Sequence, residues 1–218
     1  NEKFDAIVVD EAQDFNASFW ISIESLLRKP ESSNFYIFLD PKQNIYNKSS
    51  DIPFKEPSIT LTLNCRNTKA ISSYLEKISG ESLVCIDSAP QGQYPEIISV
   101  KDAQGEREEL RKILHKLVNE EKIDSSRIII LGRHKISSSS FASVRKLGNF
   151  NIVENDMKKS ANDIGYSTIH AFKGLESEVV LLTGVACPSS TISESEIRTL
   201  EYVGASRAKT LLYIFKWN

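Results

Sequence analysis

The stretch Phe4-Asp5-Ala6-Ile7-Val8-Val9-Asp10-Glu11-Ala12-Gln13-Asp14 decides how the rest of the chain is read. An apolar run that stops abruptly at acids reads as a buried strand, and strands apolar on both faces belong to parallel sheets covered on both sides. The pattern returns at Phe35 to Leu39, which ends on Asp40, and at Ser58 to Leu63, Arg127 to Leu131, Val179 to Leu182 and Leu211 to Phe215. Amphipathic segments alternate with these runs. Asn16 is placed to cap a helix that carries Trp20, Ile23 and Leu27 on one side. Lys69 to Ser79 turns Ile71, Leu75 and Ile78 inward. Glu106 to Lys122 sets Leu110, Ile113, Leu114, Leu117 and Val118 at helical spacing. Ser193 with Glu196 predicts a capping box on a helix running toward Arg207. Strands separated by helices predict an α/β fold with a mainly parallel sheet.

Composition narrows the function. The 218 residues are 40 % hydrophobic and 26 % charged, which suits a packed domain and argues against disorder. Lysine and arginine total 27 against 29 acids, a net charge of -2, so bulk charge does not hold nucleic acid and any such binding needs a local groove. Cys65, Cys85 and Cys187 are odd in number and far apart, which disfavours a disulfide framework and a zinc cluster and fits a reduced cytoplasmic setting. No apolar run is long enough to cross a membrane. The start at Asn1 without a methionine suggests a piece of a longer protein. The polar, proline-containing stretch Asn47 to Pro57 is the best candidate boundary.

Five segments can carry chemistry. In parallel sheets, ligands gather at the carboxyl ends of strands, and the five are expected there. Asp10, at the end of an apolar strand, can hold Mg²⁺ beside a phosphate, and Glu11 can deprotonate a water; an acidic turn entering a helix explains them equally simply. Gln43, after Asp40-Pro41, can bond a phosphate or its water, although Asp-Pro is ordinary turn chemistry. Arg66, within Asn64-Cys65-Arg66-Asn67-Thr68, is a fork for phosphate oxygens or a solvated surface arginine. Ser167 to Glu176 mixes hydroxyl, imidazole, lysine and glycine before a core strand and suits a sugar–phosphate backbone or a ribose; a lone His170 can equally be structural. Tyr202 to Lys209 places Arg207 near a helix end, where basic residues also answer the helix dipole.

Together, and in this order, the five segments resemble superfamily 1 helicases of the UvrD/Rep type, helicase IV-like relatives in particular. Asp10 to Asp14 resembles motif II, the Walker B element, and Asp40 to Tyr46 resembles motif III. Asn64 to Thr68 is similar to the motif written Asn-Tyr-Arg-Ser/Thr. Thr168 to Glu176 resembles motif V and Tyr202 to Lys209 motif VI. The resemblance implies an ATP-dependent DNA helicase built on RecA-like parallel sheets, with ATP and Mg²⁺ as ligands. Asp10 would hold Mg²⁺, Glu11 would act as general base, and Gln43 would sense the γ-phosphate. Arg66 and Arg207 would reach that phosphate as arginine fingers. Glu176 would accept from the ribose hydroxyl, and Tyr46, Thr168 and His170 would lie on the single-stranded DNA path. Translocation would run 3′ to 5′.

The phosphate-cradling Gly-x-x-x-x-Gly-Lys-Ser/Thr loop of that family is missing from the sequence. The resemblance therefore implies an upstream motor segment as partner: residues 1–50 would be the trailing part of one RecA-like domain and 51–218 a second. This chain alone would then be inactive. Three features depart from the family pattern. Asn47-Lys48-Ser49 stands where a base-stacking tryptophan is usual, and Leu39 stands for a glycine. The residues between Arg66 and Thr168 are too few for the large insertion domain of UvrD. The alternative is a RecA-like module without catalysis, serving interaction or ATP sensing in a nuclease-linked complex.

Overall fold

Two units partition the chain, Asn1–Leu61 and Thr62–Asn218, in a computed structural model that describes residues 2–40, 43, 59–157, 160–185 and 192–218. Tyr46, the boundary stretch Asn47 to Pro57 and Cys187 fall outside the described residues.

In the first unit, strands β1 (Ala6–Val9) and β2 (Asn34–Ile37) pair in parallel, Val9 opposite Ile37. Helix α1 (Ala17–Glu24) connects them, and the Asn16 side chain accepts the Phe19 N–H as the sequence predicts. Alternation along the strands turns Ile7, Val9, Phe35 and Ile37 onto Trp20, which is 2 % exposed. Val8 and Tyr36, out of phase by one residue, stay exposed.

The second unit is built on a seven-stranded sheet. Its strands are β5 (Glu96–Val100), β6 (Ile128–Gly132), β7 (Lys146–Leu147), β8 (Phe150–Glu154), β9 (Asp163–Thr168), β10 (Ser177–Thr183) and β11 (Ala208–Trp217). They lie in the order β5-β11-β10-β6-β9-β8-β7, parallel throughout except for the β7–β8 pair. β6 and β10 are buried over almost their whole length, as parallel strands covered on both faces must be. One face meets α3 (Ala103–His115), whose Leu110 and Leu114 join Ile128, Ile130, Val179 and Leu181 in the core. The other receives α4 (Glu194–Ala205), where a Cβ on Gly204 would stand 2.5 Å from a Leu182 methyl, so only glycine permits that approach. Helix α2 (Lys69–Ser79) follows β3 (Leu63–Asn64), which pairs with β4 (Val84–Cys85) outside the large sheet.

The α/β class and the parallel sheet agree with the sequence reading. So do α2 and the Ser193–Glu196 capping box. Three details differ. The Ser58 to Leu63 strand reduces, among described residues, to Leu63–Asn64. Asp102 accepts the Gly105 N–H, which starts α3 earlier than Glu106, and the segment finishes as a π-helical turn over Lys116–Glu120. β5, β8 and β9 do not stand out in the sequence. Among the described residues, no helix is long and apolar enough to cross a membrane.

Candidate functional site

The acids and amides of the first unit collect at the carboxyl edge of its two strands, because parallel pairing brings both strand ends to one side. The Phe38 N–H donates to the Val9 carbonyl at 2.8 Å and the Ala12 N–H to the Phe38 carbonyl at 3.0 Å, so the Asp10 and Asp40 turns are laced together. Glu11 takes the left-handed conformation, φ 53° and ψ 38°, which a non-glycine residue adopts at a cost. Its N–H donates to Asp10 Oδ1 at 2.8 Å.

Gln13 is the centre of this edge. It is 1 % exposed; its Nε2 donates to a Glu11 carboxylate oxygen, and its Oε1 accepts the Asp40 N–H at 3.1 Å. Asp40 in turn accepts from Gln43 Nε2 at 2.8 Å. One buried amide thus joins Glu11 to the segment that carries Gln43. Asp10 is exposed. No cluster of three or more metal-ligating side chains exists among the described residues. The donor present at this edge, the exposed Asp10 carboxylate, is of the hard-oxygen type that Mg²⁺ takes, one or two at a time, alongside phosphate oxygens and water.

In the second unit the predicted residues divide between the two edges of the sheet. Gly132 pairs with Thr168 and with Thr183, which sets Thr168 at the carboxyl edge. Thr168 Oγ1 accepts the Ala171 N–H at 3.1 Å and the Thr168 carbonyl accepts from Phe172, so His170 sits in the turn that leaves β9. The Ile169 N–H donates to the Gly132 carbonyl, and this puts Arg133, His134 and Lys135 beside that turn. The sequence reading missed these three. Their signal is legible all the same, since consecutive basic residues directly follow an apolar strand.

Glu176 and Arg207 contradict the carboxyl-edge expectation. Ser177 opens β10 opposite Ala208, which opens β11, so the residues just before them lie at the amino edge. The physical reason is the parallel crossover: the chain leaves β9 at one edge and must return to the other before β10 can run in the same direction. Arg66 joins this edge. Its Nε lies 3.1 Å from Glu176 Oε2, while Lys209 Nζ lies 3.1 Å from Glu176 Oε1. Lys209 foremost, then Arg66, hold the Glu176 carboxyl below the usual glutamate range. The Ser177 N–H donates to the Arg207 carbonyl at 3.0 Å.

The two arginines are therefore neighbours along the chain fold but differ in presentation. The Arg66 side chain is 39 % exposed. Arg207 is 1 % exposed; its guanidinium donates to the Val203 carbonyl at 3.1 Å and to Ser206 Oγ at 3.0 and 3.2 Å, folded back on the end of α4. The carbonyl end of a helix is where such a charge is favoured. A cavity of about 350 Å³ lined by Arg145, Lys146, Asn151 and Glu154 lies by β7 and β8 and contains none of the predicted residues.

Residues 143–218 match the family described as the UvrD-like helicase C-terminal domain. The matched stretch takes in β7 to β11 and α4, and with them Thr168, His170, Glu176 and Arg207, whereas Asp10, Glu11, Gln43 and Arg66 precede it. The C-terminal domain of a possible DNA helicase from Lactobacillus plantarum is similar in structure, with a TM-score of 0.50 at 15 % identity over 71 % of this chain and 88 % of that one. This likeness bears on the fold alone, an α/β sheet domain of the RecA-like type. The PRRSV helicase is also similar, at a TM-score of 0.48 and 12 % identity over 96 % of this chain and 34 % of that one. No curated protein matches the chain.

Proposed function

We propose that this chain is the back portion of an ATP-dependent motor that moves on single-stranded DNA, with ATP hydrolysis requiring an upstream phosphate-binding segment. The observation that carries the reading is the amino edge of the sheet, where Arg66 and Arg207 stand on adjoining segments beside Glu176. Guanidinium groups from two separate motifs at one edge suit a triphosphate, which offers several oxygens at once. Mg²⁺, when bound, neutralises phosphate charge and orients the transferring group. Asp10 is the residue that would hold it. Glu11, oriented by Gln13, takes the proton of the attacking water, and Gln43 bonds the phosphate or that water. Glu176 accepts from a ribose hydroxyl. Arg207 acts after its guanidinium leaves Val203 and Ser206, a swing that ties charge stabilisation to a conformational step.

Nucleic acid belongs at the opposite edge. Thr168 and His170, with Arg133, His134 and Lys135, offer hydroxyl, imidazole and cationic groups for a sugar–phosphate backbone. The 3′ to 5′ direction and the role of Tyr46 rest on the resemblance alone. The test is hydrolysis by the chain joined to its upstream segment. Single-stranded DNA is expected to stimulate turnover, and Glu11→Gln or Arg207→Ala to abolish it; unchanged turnover in both variants overturns the reading. The sequestered state of Arg207 favours a second reading, a RecA-like module that binds partners or senses ATP without turnover. Absence of any DNA-stimulated hydrolysis in the joined protein would select it.

A further inference from the structure

We infer that Asn67 is a positioning residue that locks the Arg66 and Arg207 segments to each other, a role that rests on the proposal that both arginines serve the nucleotide phosphates. Asn67 follows Arg66 directly and is 5 % exposed. Its Nδ2 donates to the carbonyls of Ser206, at 3.3 Å, and Ala208, the residues on either side of Arg207 and far away in sequence. Its Oδ1 accepts from Asn64 Nδ2 at 2.9 Å. The donor end of one buried amide is thus spent on joining the two segments, while its acceptor end braces the Arg66 turn.

The surrounding bonds close a ring. Asn64 Oδ1 accepts the N–H groups of Arg66 and Asn67 at 3.1 and 3.2 Å, which fixes the turn that presents Arg66. The Thr68 N–H donates to the Lys209 carbonyl at 3.2 Å. On the far side, Arg66 pairs with Glu176, and the next residue, Ser177, bonds the Arg207 carbonyl. Arg66 and Arg207 are consequently held at a set spacing by backbone and amide contacts, even though one guanidinium is exposed and the other buried.

The chemistry of position 67 is specific. Both Ser206 and Ala208 offer acceptors, so the side chain must donate twice, and only the amide of asparagine does so at this length. Serine or threonine, which the resembling motif has here, is shorter and brings a single donor. Aspartate has the same shape but sets a carboxylate against two carbonyls. The two arginine segments of this chain therefore move as one body with respect to a bound phosphate.

Backbone hydrogen exchange on the chain tests the lock. Asn67→Ala is expected to speed exchange of the Thr68 N–H about tenfold or more, while Ile130 and Leu181 keep native protection. Asn67→Asp, isosteric with the native residue, is expected to give the same result, and Asn67→Ser serves if either change unfolds the second unit. Native exchange at Thr68 in folded variants overturns the inference. In the chain joined to its upstream segment, the same variants are expected to lower kcat about tenfold with KM for ATP changed less than about twofold, since orientation and not binding is lost. Native kcat in variants with fast exchange at Thr68 also overturns it. Arg207→Ala in the same preparation separates the two ideas: full activity there refutes the motor reading, whereas the exchange result still decides whether Asn67 joins the segments.

Discussion

Gly132→Ala tests how tightly the carboxyl edge of the large sheet is assembled. A Cβ at Gly132 would stand 2.0 Å from Tyr166 Oη and 2.8 Å from its Cζ, far inside contact distance. Tyr166 has nowhere to go. It is 1 % exposed, its hydroxyl donates to the His134 carbonyl at 2.6 Å, and its ring meets Phe141 edge-on with centroids 5.7 Å apart. The same burial pushes its phenol up to about 12. Overpacking a filled core costs about 1–3 kcal/mol, and losing the hydroxyl's bond adds about 1 kcal/mol, so the substitution is expected to destabilise by about 2–4 kcal/mol. For a domain of this size that lowers Tm by roughly 5–15 °C, readable by calorimetry or circular dichroism. Tyr166→Phe removes the nearest clashing atom. The double variant is therefore expected to recover about 1 kcal/mol relative to the sum of the single changes. A Gly132→Ala protein within about 0.5 kcal/mol of native, or strict additivity in the double variant, refutes the reasoning.

Two further outcomes follow from buried polar groups. Burial raises the pKa of Glu106 above its usual value of 4.5, although Ser140 and Trp217 both donate to it. The folded chain binds this proton more tightly than the unfolded one, so the stabilisation is complete below pH 4.5 and is lost as pH rises through the elevated folded pKa. The stability difference between native and Glu106→Gln chains should shift in favour of native as pH falls through that window, followed by Trp217 fluorescence; a flat difference contradicts it. Gln13→Leu is expected to speed exchange of the Asp40 N–H about tenfold or more while Val9 and Phe38 stay protected, and native exchange at Asp40 would show that the Gln13 bridge is not formed.

Much of this architecture was legible because it is local. The Asn16 and Ser193 caps, the helical spacing of Ile71 and Leu75, and the apolar runs at Ile128 to Leu131 and Val179 to Leu182 need no distant partner to be recognised. β8 and β9 were hidden because Asn151, Asp163 and Gly165 interrupt their apolar character; Asp163 is buried where Asn151 and the Ser160 N–H donate to it, a compensation no run of residues reveals. The candidate site divides in the same way. Glu11, Arg66, Glu176 and Arg207 are visible as charged residues at strand and helix ends. Glu176 and Arg207 occupy the amino edge because they directly precede β10 and β11; that they stand side by side follows only from β10 and β11 being neighbours, a fact of strand order. Gln13 and Asn67 carry no charge to draw notice, yet their burial makes every bond they form obligatory.

The crossing from Thr168 to Ser177 has a mechanical consequence. Thr168 stands level with Thr183, and β10 from Ser177 to Thr183 is seven residues, about 20 Å at the rise of a strand. The connecting residues begin with a tight turn bonded to the Thr168 and His170 carbonyls. The turns run on to Leu175, whose N–H donates to the Phe172 carbonyl, so the link is wound and not extended. Drawn out, the steps from Thr168 to Ser177 would span about 30 Å, more than the crossing needs. A pull on His170 therefore reaches Glu176, and the Arg66 and Lys209 it grips on the opposite rim, only once those turn bonds have opened.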